Sequence, residues 1–383
     1  MIYLDAAATT PVRREVLEAM WPLLTGGFGN PSSHHAVGEA AAAALASARE
    51  AVAAELNCRP AEVVFTSGGT EANNLALKGI ALAAPRGRHI VTSALEHAAV
   101  REPLSYLERF HGFRSTVLPV DGAGKVDPEG LAAALTAETT LCSVMYANNE
   151  VGTVQDIAGL AGICRSRGVY FHTDAVQAAA WLPLDVQALG VDALSISGHK
   201  LGAPKGSGVL YLRRRVQVEP VIHGGGQERG RRSGTENVAG AVGAATALTA
   251  ARRGWAAAAE VSTALRDRLT AHVLAGVPGA VLTGHPGRRL PNLASFCFPG
   301  LSGESVLLEL ERLGVVASSG SACAAGSDEP SAVLLAMGLD ADTATTALRL
   351  SWTSEVTAAD LEAAAAAVVE AVGRVRAPHA ARL

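Results

Sequence analysis

The rhythm of residues 62–212 constrains this chain more than any other feature. Short β-rich runs at 63–66, 89–93, 141–146, 169–173, 192–197 and 208–212 alternate with stretches of helical periodicity. Strands separated by helix-length segments pair mainly in parallel, because a parallel pair needs a long crossover connection, and the crossovers cover both faces of the sheet. The expected architecture is therefore α/β, with a mainly parallel sheet sandwiched by helices. Such sheets bind ligands beyond the carboxyl ends of their strands. Polar residues stand at those points: Ser67-Gly68-Gly69-Thr70 after the first run, Glu96-His97 after the second, Asn148-Asn149 after the third, Asp174 after the fourth and His199-Lys200 after the fifth.

After a helical stretch over 238–251 the pattern changes. A long helix begins near Trp255, strands are expected near 293–298, 315–318 and 348–352, and the spacing Thr357-x-x-Asp360 marks the start of a last helix. This predicts a large domain over residues 12–251 and a smaller α+β domain made of 252–383 together with 1–11, a division that 383 residues allow. The alanine-rich stretches 40–54 and 363–372 are interrupted by Arg49, Glu50 and Glu370, and read as packed helices.

Charge and cysteine usage exclude several classes of function. The balance of 32 basic and 36 acidic residues gives a net charge of −4, too little field to wrap nucleic acid or to hold an anionic membrane. Residues 1–11 carry Asp5 and have neither a basic start nor an apolar run, so no signal peptide is expected, and no segment is apolar enough to span a bilayer. A cytoplasmic protein acting on a small soluble substrate is the expectation. Five cysteines without a Cys-x-x-Cys pair argue against a disulfide framework or a metal site. Cys58, Cys142, Cys164 and Cys297 lie in or near apolar patterns, whereas Cys323 sits among the small polar residues of 318–327, an unusual place for an unreactive thiol.

Two strand-end segments carry most of the chemistry. Ser67-Gly68-Gly69-Thr70 can present backbone N–H groups and a helix N-terminus to an anion, and it can equally be a tight turn with no ligand. Lys200 lies in a loop too rich in glycine and proline to be helical; its amine suits attack on a carbonyl if desolvated, and otherwise it is a solvated lysine. Asp174, at a neighbouring strand end, can keep a pyridine nitrogen protonated or simply cap a helix. Arg349, on an expected strand among apolar residues, needs an anion if it is buried. The run Arg213-Arg214-Arg215 reads as a solvated face.

Taken in order, Tyr3-Leu4-Asp5 with Ala8-Thr9-Thr10, Gly29-Asn30-Pro31-Ser32-Ser33, Ser67 to Asn74, Glu96-His97, Asn148 to Gly152, His172 to Gln177, Ser197-Gly198-His199-Lys200, Arg232 to Asn237 and Ser318 to Cys323 resemble the cysteine desulfurases of the NifS/IscS type. The resemblance runs nearly end to end, with Ala6 and Ala7 standing where relatives often carry asparagine or another polar residue. It implies fold type I of the pyridoxal phosphate enzymes, in the class V aminotransferase group. By that resemblance Lys200 is the Schiff-base lysine, His97 stacks on the pyridine ring, Asp174 pairs with its nitrogen and Gln177 reaches its phenolic oxygen. Gly69, Thr70, Ser197 and His199 hold the phosphate, and Thr235 reaches the phosphate of the neighbouring subunit of a homodimer. Asn30, Asn149 and Arg349 face the substrate, with Asn149 also beside the cofactor, and Cys323 carries the persulfide.

The implied reaction converts L-cysteine to L-alanine, with Lys200 and His97 moving protons and Cys323 passing sulfur to an acceptor protein, in iron–sulfur cluster assembly or in thiolation. A selenocysteine lyase, or another lyase or aminotransferase of the same fold group, is the alternative within enzymes. A sulfur-trafficking scaffold without turnover is the alternative outside them.

Overall fold

In the computed structural model, which describes residues 1–83, 85–319 and 329–380, the alternation of 62–212 becomes one seven-stranded sheet. The chain starts with a two-residue strand, β1 (Ile2–Tyr3), followed by helices α1 (Arg14–Thr25) and α2 (Ala36–Leu56). Then come β2 (Val63–Thr66), α3 (Gly69–Ala83), β3 (His89–Ser93), α4 (Ala98–His111), β4 (Arg114–Leu118) and α5 (Pro128–Ala134). The sheet is completed by β5 (Thr139–Ser143), α6 (Ile157–Ser166), β6 (Tyr170–Asp174), α7 (Val186–Leu189), β7 (Ala193–Ser197) and β8 (Gly208–Leu212).

The strand order is β2-β8-β7-β6-β5-β3-β4, and within it only β8 runs antiparallel to its neighbours. Every residue of β3, β5, β7 and β8 is buried, as expected of a sheet with helices on both faces. Helices α2 and α8 (Val238–Arg252) pack toward one face, while α3 and α4 pack together over the other with Leu75, Leu77, Ile80 and Leu104. The sequence reading missed β4. It is the edge strand, half-exposed and partly polar, and edge strands lack the apolar signal of buried ones.

Helix α8 (Val238–Arg252) packs on α1 and α2, and after two residues the chain enters α9 (Trp255–Gly276). Next follow β9 (Val281–Leu282), β10 (Leu293–Cys297), α10 (Gly303–Arg312), β11 (Val315–Val316), α11 (Ala332–Ala336), α12 (Ala341–Ala344), β12 (Ala347–Ser351) and α13 (Ala358–Ala380). Strands β9, β10 and β12 form an antiparallel sheet whose own apolar core holds Phe296, Phe298, Trp352, Val368 and, from the far end of the chain, Leu4. β1 pairs in parallel with β11, Ile2 opposite Val315, so the N-terminus returns to the C-terminal part. At the start of α13 the capping box forms as its spacing predicts: Asp360 N–H donates to Thr357 Oγ1 (3.1 Å) and Thr357 N–H to Asp360 Oδ2 (3.0 Å). Among the described residues no helix is long and apolar enough to cross a membrane.

Candidate active site

The carboxyl ends of β2, β3, β5, β6 and β7 open on a cleft of about 530 Å³. At one side the chain leaves β2 through Ser67-Gly68 and enters α3 at Gly69. A Cβ on Gly69 would come within 2.8 Å of Val176 Cγ2 and 3.2 Å of Ser197 Cβ, so only glycine lets this turn lie against the loops after β6 and β7. The turn is braced from behind: Ser67 N–H donates to Glu71 Oε2 (2.8 Å), and Arg232 Nε donates to Glu71 Oε1 (2.9 Å). Burial acts to raise the Glu71 pKa, but the bonds from Arg232 and Ser67 outweigh it and hold the carboxylate below its ordinary range.

Lys200 closes a single 3₁₀ turn, Gly198–Lys200, directly after β7. Its Nζ donates to the main-chain carbonyls of Ala7 and Ala8, the latter at 2.5 Å, so it is a half-buried, held amine and not a solvated loop lysine. Gln177 Nε2 donates to the same Ala7 carbonyl (2.9 Å), and His199 Nδ1 lies 3.1 Å from Thr9 Oγ1. Burial, then the charges of Lys200 and Lys205, push the His199 imidazole down to about 4, which keeps it neutral. The N-terminal segment thus meets Lys200 and Gln177 through backbone carbonyls, which alanine at positions 7 and 8 supplies as any residue would.

Asp174 ends β6 and is buried beneath the cleft, accepting from Asn73 Nδ2 (2.6 Å) and Val176 N–H (2.9 Å). Burial raises its pKa, while those two bonds and the nearby charges of His97 and Lys200 pull it back. His97 does two things at once. As the N-cap of α4 its Nδ1 accepts from Ala99 N–H (3.0 Å), which fixes the ring, and the ring lines the cleft. Beneath it lies Glu96, whose Oε1 accepts from Ser93 Oγ (2.6 Å) and Met145 N–H (2.8 Å), and whose pKa burial pushes up to about 8.

At the opposite side, Arg349 projects from β12. It is 2 % exposed, donates from Nη2 to Asp5 Oδ1 (2.7 Å) and from Nη1 to the Asn149 carbonyl (3.0 Å), and lines the cleft together with Asn149. Asn148 shapes the turn that presents Asn149, its Oδ1 accepting from Glu150 N–H (2.8 Å) and Val151 N–H (2.9 Å). The next residue, Glu150, accepts from Ser331 Oγ (2.5 Å) at the start of α11.

Of the residues singled out in the sequence, Gly69, Thr70, His97, Asp174, Ser197 and Lys200 converge on the cleft, as do Asn149, Gln177, His199 and Arg349. Asn30 does not. It is exposed in the turn before α2, where its Oδ1 accepts from Ser32 N–H (2.9 Å), and glycine at 29 is required because a Cβ there would meet the Val37 carbonyl. Thr235 lines a separate pocket beside Ser67 and Arg232. Cys323 lies outside the described residues. Among the other cysteines, burial pushes Cys58 up to about 12, aided by Glu62, pushes Cys297 up to about 11, and carries Cys142 well above its ordinary value, so none of these three is a thiolate near neutrality. Arg213 and Arg215 flank the buried Asp192 at 3.5 and 3.4 Å, a structural pairing away from the cleft lining. Sequence reasoning gave no role to Asn73, Glu96, Asp5 or the Ala7 and Ala8 carbonyls, although Glu96 was noted at a strand end and Asn73 lies one helical turn after the Gly69-Thr70 start of α3.

This donor set suits pyridoxal phosphate. A helix N-terminus and a turn that only glycine permits can take the phosphate, an amine stands where a carbonyl carbon must be met, and a buried carboxylate lies where a ring nitrogen needs a counter-charge. The fold and the cleft together define a lysine-centred pyridoxal phosphate enzyme of the α/β class. The chain belongs to the class-V aminotransferase family, whose model matches residues 2–364. It is 46% identical over 361 residues to the cysteine desulfurase IscS of Dictyoglomus turgidum, covering 94% of this chain and 91% of that protein. A solved NifS-like protein superposes with a TM-score of 0.90 at 37% identity, over 97% of this chain and 99% of its own. SspA, solved in complex with cysteine, superposes with a TM-score of 0.80 at 34% identity, over 92% of this chain and 98% of its own.

Proposed function

We propose that the protein is a cysteine desulfurase that converts L-cysteine to L-alanine and passes the sulfur, through a persulfide on Cys323, to an acceptor protein. The observation that carries this reading is the single cleft shared by the held amine of Lys200, the buried carboxylate of Asp174 and the buried guanidinium of Arg349. Pyridoxal phosphate, when bound, supplies the electron sink that makes the substrate Cα–H acidic and weakens its Cβ–S bond.

The chain's own residues do the rest. Gly69 and Thr70 at the start of α3, with Ser197 and His199, hold the phosphate. Asp174 would keep a negative charge for the ring nitrogen, Gln177 would serve the phenolic oxygen, and His97, its Nδ1 engaged by Ala99 N–H, would lie against the ring and move a proton at the substrate thiol. Asn149 and Arg349 take the substrate carboxylate in the planar fork of the guanidinium. Lys200 Nζ removes the Cα proton and returns it. The Cys323 thiolate then bonds to the substrate sulfur as the Cβ–S bond breaks; the electron pair stays with the substrate carbon, which takes a proton and leaves as alanine. In a homodimer Thr235 completes the phosphate site of the neighbouring subunit.

Replacing Cys323 with serine tests the reading. The variant keeps the visible absorbance of the cofactor-loaded enzyme and loses sulfide release from L-cysteine, whereas Cys58→Ser retains it. Sustained turnover by Cys323→Ser overturns the assignment, and assays with selenocysteine alongside cysteine show which substrate the enzyme prefers.

A further inference from the structure

We propose that Asp5 is a positioning residue for the carboxylate-binding guanidinium, and that the N-terminal segment carrying it sets the spacing between substrate anchor and catalytic amine. The inference rests on the reading of Arg349 as the carboxylate ligand and goes beyond it. Arg349 is almost wholly removed from water, and a buried guanidinium is tolerated only when a fixed anion and fixed acceptors replace its hydration. Asp5 Oδ1 at 2.7 Å is that anion, and the Asn149 carbonyl at 3.0 Å is an acceptor on the other terminal nitrogen. Two partners on two nitrogens fix both the plane and the direction of the fork, which decides how a carboxylate can meet it.

Asp5 is itself immobilised. Ser351 N–H donates to the Leu4 carbonyl (2.8 Å), Ala6 N–H to the Ser351 carbonyl (3.0 Å) and Ala7 N–H to Ser351 Oγ (2.8 Å), so the segment is stitched to β12 two residues from Arg349. Tyr3 Oη clamps it from the side, donating to the Asp5 carbonyl (3.1 Å) and the Thr9 carbonyl (2.9 Å). Two residues beyond Asp5 the same backbone offers the Ala7 and Ala8 carbonyls to Lys200 Nζ, and the Ala7 carbonyl to Gln177. One short, rigid piece of chain therefore touches the guanidinium at one end and the amine at the other. A substrate held by its carboxylate presents its Cα to Lys200 only if that spacing is kept, and a misplacement of an ångström is enough to be felt in binding and rate.

The test compares L-cysteine with cysteamine, which has the amine and thiol but no carboxylate. Asp5→Ala raises the KM for L-cysteine about tenfold or more and lowers kcat as well, because a guanidinium released from Asp5 holds the bound carboxylate less firmly and presents Cα to Lys200 less well. Cysteamine binding, followed by the visible absorbance of the loaded enzyme, stays at the wild-type affinity. Asp5→Asn keeps an acceptor at Oδ1 without its charge, and its KM falls between the two. Asp5→Ala combined with Arg349→Ala is no worse than Arg349→Ala alone, since both act through one contact. The proposal is overturned if Asp5→Ala leaves the KM for L-cysteine unchanged, or if it weakens cysteamine binding as much as L-cysteine binding, the mark of general damage to the fold. If Arg349→Ala leaves that KM unaltered, the reading of Arg349 falls first and the role of Asp5 with it.

Discussion

At one side of the cleft, Lys200, Asp174 and the Gly69-Thr70 turn each stand within about a turn of the last residue of a strand in the same sheet. At the other, Arg349 meets Asp5 across 344 positions of sequence and Asn149 across 200. The first side is assembled by forming one sheet, because parallel strands bring their carboxyl ends to a common edge. The second exists only after the N-terminal segment and the C-terminal part have come together. They differ in electrostatics too. The lysine side combines the partial charges of backbone donors, a helix N-terminus and carbonyl acceptors with the buried carboxylate of Asp174. The arginine side relies on an ion pair between the buried Arg349 and the half-buried Asp5, which costs much to break by removing one partner.

The sharpest way to break this contrast is to remove the amine. Lys200→Ala is expected to lower turnover by at least about 10⁴-fold, since it removes both the link to the cofactor and the base for the Cα proton, and to change the visible spectrum of the loaded enzyme. A spectrum identical to wild type in that variant would show that the lysine side is not where the cofactor is joined. The arginine side should respond differently. Arg349→Lys keeps the charge and loses the fork, so the KM for L-cysteine is expected to rise about 10- to 100-fold with the spectrum unchanged. A shifted spectrum in Arg349→Lys would mean that the two sides are not separable.

The smallest effect concerns Glu96, the second carboxyl under the lysine side. Its folded pKa of about 8 lies above the ordinary 4.5, with burial the main cause and the charge of Asp174 adding to it. Between those values the folded state holds a proton that the unfolded chain has released, so stability falls as pH rises from about 4.5 to about 8. Glu96→Gln removes that slope. Its melting temperature, compared with wild type at pH 5 and pH 8, is expected to gain about 1–3 °C on the wild type toward the higher pH, over any constant offset from the amide. Parallel curves would show that Glu96 is ionised in the fold, and that the lysine side tolerates two buried anions.

How much of this was legible in the sequence follows the same division. Runs 63–66, 89–93 and 208–212 match their strands end for end, because each is a short, wholly buried β-rich run. The residues just after strands, Lys200, Asp174 and His97, were legible for the same reason, since position relative to a strand end is local information. His97 shows a limit of that reading. A local hydrogen bond and a place in the cleft look like competing explanations in sequence, yet the cap to Ala99 fixes the ring in the cleft and both hold. Asn30 shows another: a motif residue can be legible and still stand in an exposed turn, fixed by its own Asx turn to Ser32.

By itself, then, the sequence determined the sheet, the strand-end residues and the family resemblance, because apolar period, glycine turns and residue order are properties of neighbours along the chain. Only the tertiary structure decided what Lys200 and Arg349 are held by. The acceptors on Lys200 are the carbonyls of Ala7 and Ala8, and every residue has a carbonyl, so no side-chain code announces them. The partner of Arg349 is Asp5, at the opposite end of the chain, and its choice follows from β1 pairing with β11 and from Ser351 drawing the following residues onto β12. Pairings of that kind join residues hundreds of positions apart, a condition that no short window of sequence contains.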